Sequence, residues 1–309
     1  MQGHTHSPVN RLVHRIRQGE LPDLIFSLAI TLLLTLIGIV VLYPLLFVLS
    51  ASLSDPNAVN SGKVWLFPIG VQFGGYVRVF ESRWVMIGYR NSLSYMVTGT
   101  FLAVLVTFTG SYALSRRDIV GRKVLTFFIV FTMWFNGGLI PTFLLVKSLG
   151  LVDSPLVLVI LGVVNAYNFI ICRTFIQNSI PGELQEAARI DGSSDFGLCW
   201  RIAFPLSGPI LAILALYYGL GHWNNYFSAL IYLNNRSLQP LQIFLREILL
   251  QDQFVDGSAI DLDSLQELVR MTKIMKYSLI VISSLPMIML YPFLQRYFVQ
   301  GIMIGSIKG

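Results

Sequence analysis

Charged residues and cysteines are scarce in this sequence. Charged side chains account for 12 % of the 309 residues, whereas 54 % of the residues are hydrophobic. Because soluble domains carry about 25 % charged residues, this composition excludes an ordinary soluble protein and indicates a chain that lies in a bilayer. The two cysteines, Cys172 and Cys199, do not suggest a disulfide framework or a metal site, and the four histidines form no metal-binding cluster.

Motifs of catalysis and of nucleotide binding are absent from the sequence. It has no G-x-x-x-x-G-K-S/T phosphate loop, so we do not expect the chain itself to hydrolyse ATP. No H-E-x-x-H motif or Ser/His/Asp signature suggests an embedded enzyme. The basic residues form no stripe with interleaved aromatic residues, which argues against a nucleic-acid partner despite the net charge of +6. We therefore expect no catalytic residue, metal or cofactor in this chain.

Long apolar segments dominate the sequence. Six of them reach the ~20 residues that a helix needs to cross ~30 Å of hydrocarbon, and they predict an all-α integral membrane protein with six transmembrane helices. The predicted spans are Leu24–Leu49, Ser92–Leu114, Val124–Val146, Leu156–Phe175, Ile210–Leu233 and Tyr277–Val299. They form one predicted transmembrane domain, residues 24–299, between an N-terminal segment, residues 1–23, and a tail, residues 300–309. The first span is too long for the apolar run of a signal peptide, which favours an uncleaved helix.

Basic residues indicate the orientation of the chain. Arg116, Arg117, Arg122 and Lys123 fall in the short loop between the second and third spans, and such loops usually face the cytoplasm. With six spans, both termini and the loop of residues 178–208 then share this side. The long loops of the opposite side are residues 51–91 and 234–276, and the second includes an acidic stretch and, from Leu262 onward, a predicted amphipathic helix.

The loop of residues 178–208 is a polar segment in an otherwise apolar chain. Pro181 suits the first turn of a helix, where its missing N–H costs nothing, and Gly192 is a favourable C-terminal stop. Between them, Ala187 and Ala188 favour helix and carry little bulk, so another surface can approach closely. The pattern predicts two short helices separated by a break, the second capped by Ser193 or Ser194. Together they would form a compact knob that fits a groove in a partner protein.

Charge decides between two interpretations of this knob. An amphipathic loop lying on anionic lipid would be dominated by basic residues. Here the acidic residues outnumber the basic ones, with Glu183, Glu186, Asp191 and Asp195 against Arg189 and Arg201. Docking on a protein is therefore the favoured interpretation, and Pro205 is expected to break the chain before the fifth span.

Polar side chains inside the predicted spans are candidates for a transport pathway, because polar groups in a bilayer usually line a cavity or pair with each other. The candidates are His222, Trp223, Asn224, Asn225 and Tyr226 in the fifth span, Asn165 and Asn168 in the fourth, and Asn136 in the third. Their amide groups and aromatic faces suit sugar hydroxyls. Hydrogen bonding between helices explains any single candidate equally well, whereas we expect at least one of residues 222–225 to line the pathway. The central turns of the spans hold essentially no acidic residue, which weighs against ion-coupled transport.

One motif in the polar loop resembles a known family. Glu186-Ala187-Ala188-Arg189-Ile190-Asp191-Gly192, followed by Pro205-Leu206, resembles the cytoplasmic coupling motif of permeases in type I ABC importers. More narrowly, the chain is similar to the smaller permease of the maltose transporter family. It looks closest to the branch that handles complex oligosaccharides, including those that contain uronic acids. Further matching segments are Tyr89–Leu93, Ser111–Arg116, Gly138–Thr142, His222–Asn224, Gln295–Gly301 and Gly305–Gly309.

The resemblance implies a six-helix permease subunit in a bacterial cytoplasmic membrane, paired with a homologous second permease, two ATPase subunits and an extracytoplasmic solute-binding protein. ATP and Mg²⁺ would bind to the ATPase, and an oligosaccharide would be imported by alternating access. The residues of this chain that the resemblance implies dock on the ATPase are Glu183, Glu186, Ala187, Ala188, Asp191, Gly192 and Pro205, together with Gly305 and Lys308 in the tail. The alternative is a secondary sugar transporter or channel that works without an ATPase.

Overall fold

The computed structural model of the chain describes residues 21–254 and 275–292, and every regular element in these ranges is a helix. The chain divides into two compact units, Met1–Phe73 and Gly74–Gly309. Several predicted features lie outside the described residues. They include most of the N-terminal segment, most of the acidic stretch and the amphipathic helix predicted from Leu262 onward, residues 293–299 of the sixth predicted span, and the tail with Gly305 and Lys308.

The first unit consists of one long apolar helix and a short turn-back. Helix α1 spans Leu21–Ser52 and is followed by α2 at Pro56–Asn60. Apolar side chains are exposed along α1, as expected for a helix that is hydrophobic all round and surrounded by lipid. After α1 the chain folds back on itself, since the N–H of Asp55 donates to Ile69 O at 2.9 Å. The helix is long enough to cross the ~30 Å of a bilayer core.

The second unit is organised around one long helix, α4. The helices of this unit are, in chain order, α3 (Gly74–Glu81), α4 (Arg83–Ser115), α5 (Arg122–Trp134), α6 (Leu139–Ser148), α7 (Pro155–Ile160), α8 (Ala166–Ser179), α9 (Gly182–Ile190), α10 (Asp195–Leu206), α11 (Gly208–Trp223), α12 (Phe227–Tyr232), α13 (Leu241–Phe254) and α14 (Met275–Pro292). With 33 residues, α4 is about 50 Å long. Helices α8, α11 and α13 pack against it, so the elements that carry the predicted sites are arranged around α4.

A row of glycines brings these helices close to α4. Gly88, Gly99 and Gly110 recur every eleven residues, which is close to three helical turns, and they therefore lie on one face of α4. Gly88 faces the ring of Phe244 on α13, Gly99 faces His222 on α11, and Gly110 faces Phe169 on α8. A methyl group at Gly99 would lie 2.5 Å from the His222 ring. Small residues allow close approach of membrane helices, so this row sets the packing distance of three helices on α4.

Three described helices are long and apolar enough to cross a membrane on their own, namely Asp23–Ser52, Arg83–Ser115 and Met275–Pro292. They correspond to the predicted first, second and sixth spans. Two bent pairs, α5 with α6 and α10 with α11, raise the number to five if each pair is one span. The predicted third, fourth and fifth spans are not continuous helices, which corrects the expectation from hydropathy.

The third predicted span is interrupted at Asn136, Gly137 and Gly138. Gly138 has φ +85°, a left-handed conformation that glycine adopts without strain. The side-chain oxygen of Asn136 accepts a hydrogen bond from the Gly138 N–H at 2.9 Å. The chain turns by 116° between α5 and α6 at this point. Asn136 therefore stabilises the break itself, because its amide pairs with a main-chain group that the helix has left free.

Asparagine side chains also begin the helices of the fourth and fifth predicted spans. The side chain of Asn165 accepts a hydrogen bond from the Asn168 N–H at 3.1 Å where α8 begins. The side chain of Asn225 accepts one from the Ser228 N–H at 3.2 Å at the start of α12. Asparagine is a strong N-cap, because its oxygen replaces a missing main-chain partner. The polar residues that made these spans look like pathway elements thus also explain why the spans are broken.

We expect Gly99→Val to destabilise the protein, because the added side chain would meet the His222 ring. Overpacking a filled core costs about 1–3 kcal/mol, which should lower the melting temperature of the detergent-purified protein by a few degrees. Gly221 on α11 is the matched control, since nothing lies within 4 Å of its Cβ position. Gly221→Val should melt like the unaltered protein, and adding His222→Ala to Gly99→Val should restore part of the loss. An unchanged melting temperature for Gly99→Val would contradict close packing at this position.

Candidate coupling site

Helix α9 is the first of the two short helices that form the polar knob expected in the loop of residues 178–208. It begins directly after Pro181, whose extended backbone makes it the residue before the helix rather than part of its first turn. Gly192 follows the helix with φ +80°, and the N–H of Ser193 donates to Ala188 O at 2.9 Å. This left-handed stop satisfies the last carbonyl groups of α9, as the sequence predicts.

Helix α10 is the second helix of the knob and connects it to the membrane helices. Ser194 caps it, since its Oγ accepts a hydrogen bond from the Gly197 N–H at 3.1 Å. The middle of α10 is a wide π-helical turn, Leu198–Ala203, and Pro205 lies in the turn that follows. The break expected at Pro205 falls two residues later, at Ser207, where the chain bends by 82° into α11. π-Helical turns occur frequently at functional sites.

Aromatic rings fix α10 on the central helix. Trp200 and Phe204 of α10 lie with their ring centroids 6.4 and 5.2 Å from that of Phe108 on α4, and Phe204 meets Phe108 edge-on. Edge-to-face pairs contribute about 0.5–1.5 kcal/mol beyond the area they bury. Phe108 is completely buried, so α10 and α4 share one core at this end of the molecule.

Four charged side chains join three separate segments of the chain. Arg116, the first residue after α4, donates from Nε to Asp118 Oδ1 at 3.0 Å, and its Nη1 also bonds to Asp195 at the start of α10. Arg189 of α9 donates to Asp118 Oδ2 at 2.7 Å and lies 3.6 Å from Asp195 Oδ1. We call Arg116, Asp118, Arg189 and Asp195 the ionic cluster. It connects the end of α4 with both short helices of the knob.

Burial makes Arg116 the critical member of the ionic cluster. Its side chain is 6 % exposed, whereas the other three side chains are about half exposed or more. Exposed ion pairs contribute little, but a buried cation that loses its partners is strongly destabilising. The hydrogen bond with Asp118 is the main cause of a raised pKa for Arg116, and hydrogen bonds from Arg116 and then Arg189 hold the pKa of Asp118 well below its ordinary value. The cluster therefore stays charged at neutral pH.

Further side chains close the end of α4. Arg173 Nε of α8 donates to Leu114 O at 2.9 Å, and Gln177 Nε2 donates to Ser115 O at 3.2 Å. Arg122 Nη1 of α5 donates to the carbonyl oxygen of Arg116 at 3.0 Å. Donors of this kind satisfy the carbonyl groups that a helix end leaves free, and cations also interact favourably with the negative end of the helix. The end of α4 is thus tied to α5, α8, α9 and α10.

A polar recess of about 700 Å³ lies between the end of α4, α8 and α9. The acidic residues of the knob, Glu183 and Glu186, line it together with Arg117, Arg122 and members of the ionic cluster. The outer face of the knob is exposed, and it includes two apolar side chains that the sequence did not suggest as contacts. Ile190 is 87 % exposed and Phe196 is 75 % exposed. Each of these apolar side chains follows or precedes an acidic residue in the sequence, Asp191 or Asp195, and large exposed apolar side chains in a polar knob suit a protein partner.

The two alanines of the knob have different environments. Ala187 is exposed, whereas Ala188 is buried in the same apolar core as Leu198 and Cys199. Adjacent residues of a helix point about 100° apart, so the two methyl groups cannot both face one partner. The exposed predicted coupling residues are Glu183, Glu186, Ala187, Asp191, Gly192 and Pro205. Ala188 instead belongs to the apolar core of the second unit.

Comparison with known proteins identifies this architecture. Residues 107–304, which contain the knob, the ionic cluster and the glycine at 110, match the family described as the binding-protein-dependent transport system inner membrane component. The chain belongs to this family. Its fold is that of a type I ABC importer permease, so the predicted fold class is confirmed.

Relatives of this permease cover nearly its whole length. It is 37 % identical over 297 residues to Protein LplC of Bacillus subtilis (strain 168), covering 96 % of this chain and 98 % of that protein. It is 36 % identical to the polygalacturonan/rhamnogalacturonan transport system permease protein YtcP of the same organism, over 92 % of this chain and 99 % of that one. A crystal structure of a bacterial ABC transporter involved in the import of the acidic polysaccharide alginate contains a chain that matches with a TM-score of 0.81. The two chains are 34 % identical, and the match covers 90 % of this chain and 98 % of that one.

The pathway candidates of the permease fall into two groups. Trp223 is buried, donates from Nε1 to Ser283 O of α14 at 3.0 Å, and meets the Tyr89 ring edge-on. This is the hydrogen bond between helices that the sequence left open as an alternative. Asn168 is also buried, and His222 and Asn225 are partly buried. The exposed candidates are Asn136, Asn165, Asn224 and Tyr226.

One polar contact in the membrane region was missed from the sequence. The Tyr218 hydroxyl of α11 lies 2.7 Å from Thr107 Oγ1 of α4 and accepts a hydrogen bond from the Asn165 N–H at 3.2 Å. It therefore links α11, α4 and the break before α8. A tyrosine in an apolar helix gives no signal of such a role, because its ring is compatible with either lipid or core.

We expect removal of both carboxylates to destabilise the permease more than removal of the arginine. Asp118→Asn with Asp195→Asn leaves the buried Arg116 without a charged partner, which should cost about 1–3 kcal/mol, whereas Arg116→Met removes the buried charge itself. Melting temperatures in detergent at pH 7 measure both effects, and Arg117→Met, at an exposed neighbouring position, is the control. Because the folded pKa of Asp118 is lowered, its contribution is complete above its ordinary pKa of about 4 and fades as the pH falls below that value. Equal melting of all variants would show that the ionic cluster does not hold the knob.

Proposed function

We propose that this permease is one membrane subunit of an ATP-driven importer and that α9 docks on a separate ATPase subunit. The observation that carries the proposal is the ionic cluster, which ties an exposed, acidic helix to the end of the longest helix of the second unit. A helix held in this way can receive a force from outside the membrane and pass it on. The knob would thus act as the mechanical contact between ATP hydrolysis and the membrane helices.

The proposed docking surface is the exposed side of the knob. It consists of Glu183, Glu186, Ala187, Asp191 and Gly192, with Ile190 and Phe196 as the apolar contacts. Apolar side chains at the centre of a contact surface supply most of its binding energy, while the charged residues give orientation and specificity. Pro205 is also exposed and lies in the segment that leads to α11, where it would stiffen the connection. In the tail, Gly305 and Lys308 are proposed as a second contact with the ATPase.

The proposed movement follows from the connections of α9 and α10. Displacement of the knob by the ATPase would pull on α4 through Arg116 and on α11 through α10. Because α4 and α11 pack closely at Gly99, they would move together rather than slide past one another. Alternating access of a central cavity to the two sides of the membrane is the expected result. A homologous second permease would supply the other wall of that cavity, and the ATPase would bind ATP and Mg²⁺.

The proposed cargo is an acidic oligosaccharide. The proposal is supported by the relative named as a polygalacturonan/rhamnogalacturonan permease and by the structural neighbour involved in alginate import. The exposed polar residues Asn136, Asn165, Asn224 and Tyr226 offer amide and phenol groups to sugar hydroxyls. We further propose that the termini and the knob are cytoplasmic, because the short loop that contributes Arg116 to the ionic cluster also carries Arg117, Arg122 and Lys123.

We expect the complex isolated through this chain to contain an ATPase that sugar-loaded solute-binding protein stimulates. Glu186→Ala and Gly192→Val should reduce transport per ATP hydrolysed at least ~5-fold. Gly192→Val forces a branched side chain into a φ of +80°. Gly192→Asn is the matched control, because asparagine tolerates this conformation, and it should stay close to the unaltered complex. Both activities are measured in liposomes. A chain that purifies alone and catalyses ion-dependent sugar uptake would replace the proposal with a secondary transporter.

The exposed and buried pathway candidates should respond differently to substitution. Asn224→Leu and Tyr226→Leu should reduce sugar uptake several-fold and leave the melting temperature nearly unchanged. Trp223→Phe removes the Nε1–H that bonds to Ser283, so it should lower the free energy of unfolding by about 1 kcal/mol and the melting temperature with it. Uptake and melting are measured on the same preparations. Unchanged uptake in both exposed variants would remove this face from the proposed pathway.

A further inference from the structure

The loop between α12 and α13 is held in place by side chains of α4. Asn91 Nδ2 donates to Ser237 O at 2.8 Å and to Gln239 O at 3.1 Å. The Tyr95 hydroxyl donates to Leu238 O at 2.8 Å. Both α4 side chains are buried, so these hydrogen bonds are shielded from water. The main chain of residues 237–239 is therefore fixed relative to α4.

Asp153 fixes the same loop from the other side. Its carboxylate accepts hydrogen bonds from the N–H groups of Asn234 and Asn235, the latter at 2.9 Å, and its own N–H donates to Tyr232 O at 2.8 Å. Asp153 has φ +59°, a conformation that costs energy for a residue other than glycine. The surrounding contacts must compensate for that cost, so the loop is ordered before any partner binds.

The ordered loop presents Arg236 on an aromatic surface. The guanidinium carbon of Arg236 lies 5.1 Å from the ring centroid of Trp84 and 5.5 Å from that of Phe244. The guanidinium carbon of Arg83 lies 6.0 Å from the same Trp84 ring, and the two rings are stacked at 6.5 Å. We call Arg83, Trp84, Arg236 and Phe244 the arginine platform. Two guanidinium groups thus lie over one indole at the start of α4.

Arg83, Trp84 and Arg236 of the arginine platform are accessible, whereas Phe244 is buried, and the platform carries excess positive charge. Arg236 is 51 % exposed and Trp84 is 38 % exposed. Glu247 of α13 accepts a hydrogen bond from Arg236 Nη2 at 2.9 Å, which balances one of the two cations. Arg83 and Arg116 are separated by the full length of α4, about 50 Å, so the platform and the ionic cluster lie at opposite ends of that helix.

We propose that the arginine platform is the contact surface for the solute-binding protein and that it receives carboxylate side chains of that protein. The family description supplies the partner, since transport in this family is binding-protein-dependent. Tryptophan and arginine are the residues most enriched where binding energy is concentrated in protein interfaces. A guanidinium can pair with a carboxylate through two parallel hydrogen bonds, and an ordered loop loses little entropy on binding. The inference rests on the proposed function.

Glu247 provides a test in which a substitution is expected to strengthen docking rather than weaken it. Its carboxylate accepts a hydrogen bond from the Arg236 guanidinium and thereby competes with an incoming carboxylate for that donor. Removal of its charge should strengthen docking, whereas removal of either arginine should weaken it. A residue that only stabilises the loop would weaken docking when changed, so the sign of the Glu247 effect separates recognition from structure.

The experiment titrates the purified complex, in lipid nanodiscs, with its solute-binding protein loaded with a galacturonate oligomer and measures stimulated ATPase activity. Arg83→Gln and Arg236→Gln should each raise the half-saturating concentration of binding protein about 5- to 30-fold, as expected for residues at the centre of an interface. Glu247→Gln should lower it about 2- to 5-fold. Lys147→Gln, an exposed cation at the end of α6 outside the platform, is the matched control and should change it less than 2-fold. The maximal ATPase rate should remain unchanged in all four variants.

Other results of this titration would contradict the docking proposal or the proposed function. Half-saturating concentrations that stay within 2-fold of the unaltered complex for both arginine variants would overturn the proposal. If those concentrations are unchanged but uptake of the galacturonate oligomer falls relative to a neutral oligosaccharide, the platform contacts the substrate instead. If Arg236→Gln lowers the melting temperature because Glu247 has lost its partner, the double variant Arg236→Gln with Glu247→Gln removes that unpaired carboxylate. Loss of docking in the double variant is then due to the missing guanidinium. An unaltered complex that lacks ATPase activity or ignores the binding protein would count against the proposed function itself.

Discussion

The buried guanidinium of Arg116 is the interaction on which the arrangement of the coupling region depends. It is shielded from water by the surrounding helices, so its two carboxylate partners are required rather than optional. Those partners come from the segment after α4 and from the start of α10, and Arg189 of α9 completes the set. One electrostatic requirement thereby positions two helices that have few other ties to α4. The aromatic contacts of Trp200 and Phe204 then add the packing that a charge pair alone does not supply.

The membrane part of the second unit depends on a steric constraint instead. The glycine row on α4 allows rings from α8, α11 and α13 to lie against the main chain of α4. In a bilayer there is no hydrophobic force between helices, so close packing and interhelical hydrogen bonds hold them together. Tyr218 and Trp223 supply such bonds, to Thr107 and to Ser283. The same helix is therefore fixed by charge at one end and by shape along its length.

Hydropathy predicted the C-terminal end of α4 closely but not its N-terminal end. The predicted span ended at Leu114, one residue before the helix ends, but began at Ser92, nine residues after Arg83, where the helix begins. Hydropathy reports what lies in lipid, whereas a helix continues as long as its hydrogen bonds do. The breaks at Asn136, Asn165 and Asn225 were missed because an asparagine that bonds to free main-chain N–H groups and a pathway asparagine look alike in sequence. The ionic cluster was missed because Asp118 pairs with a residue 71 positions away.

The distribution of the ionic cluster has a consequence for modular engineering of importers. An exchange of the 178–208 loop between two permeases would transfer Arg189 and Asp195 but leave Arg116 and Asp118 behind. The oppositely charged partners of the transplanted segment would then have to come from the corresponding residues of the host permease, which pair with a different loop. Chimeras that carry residues 116–118 with the loop would keep the salt bridges intact. The transferable unit in such proteins is thus a set of residues that is discontinuous in sequence and continuous in space.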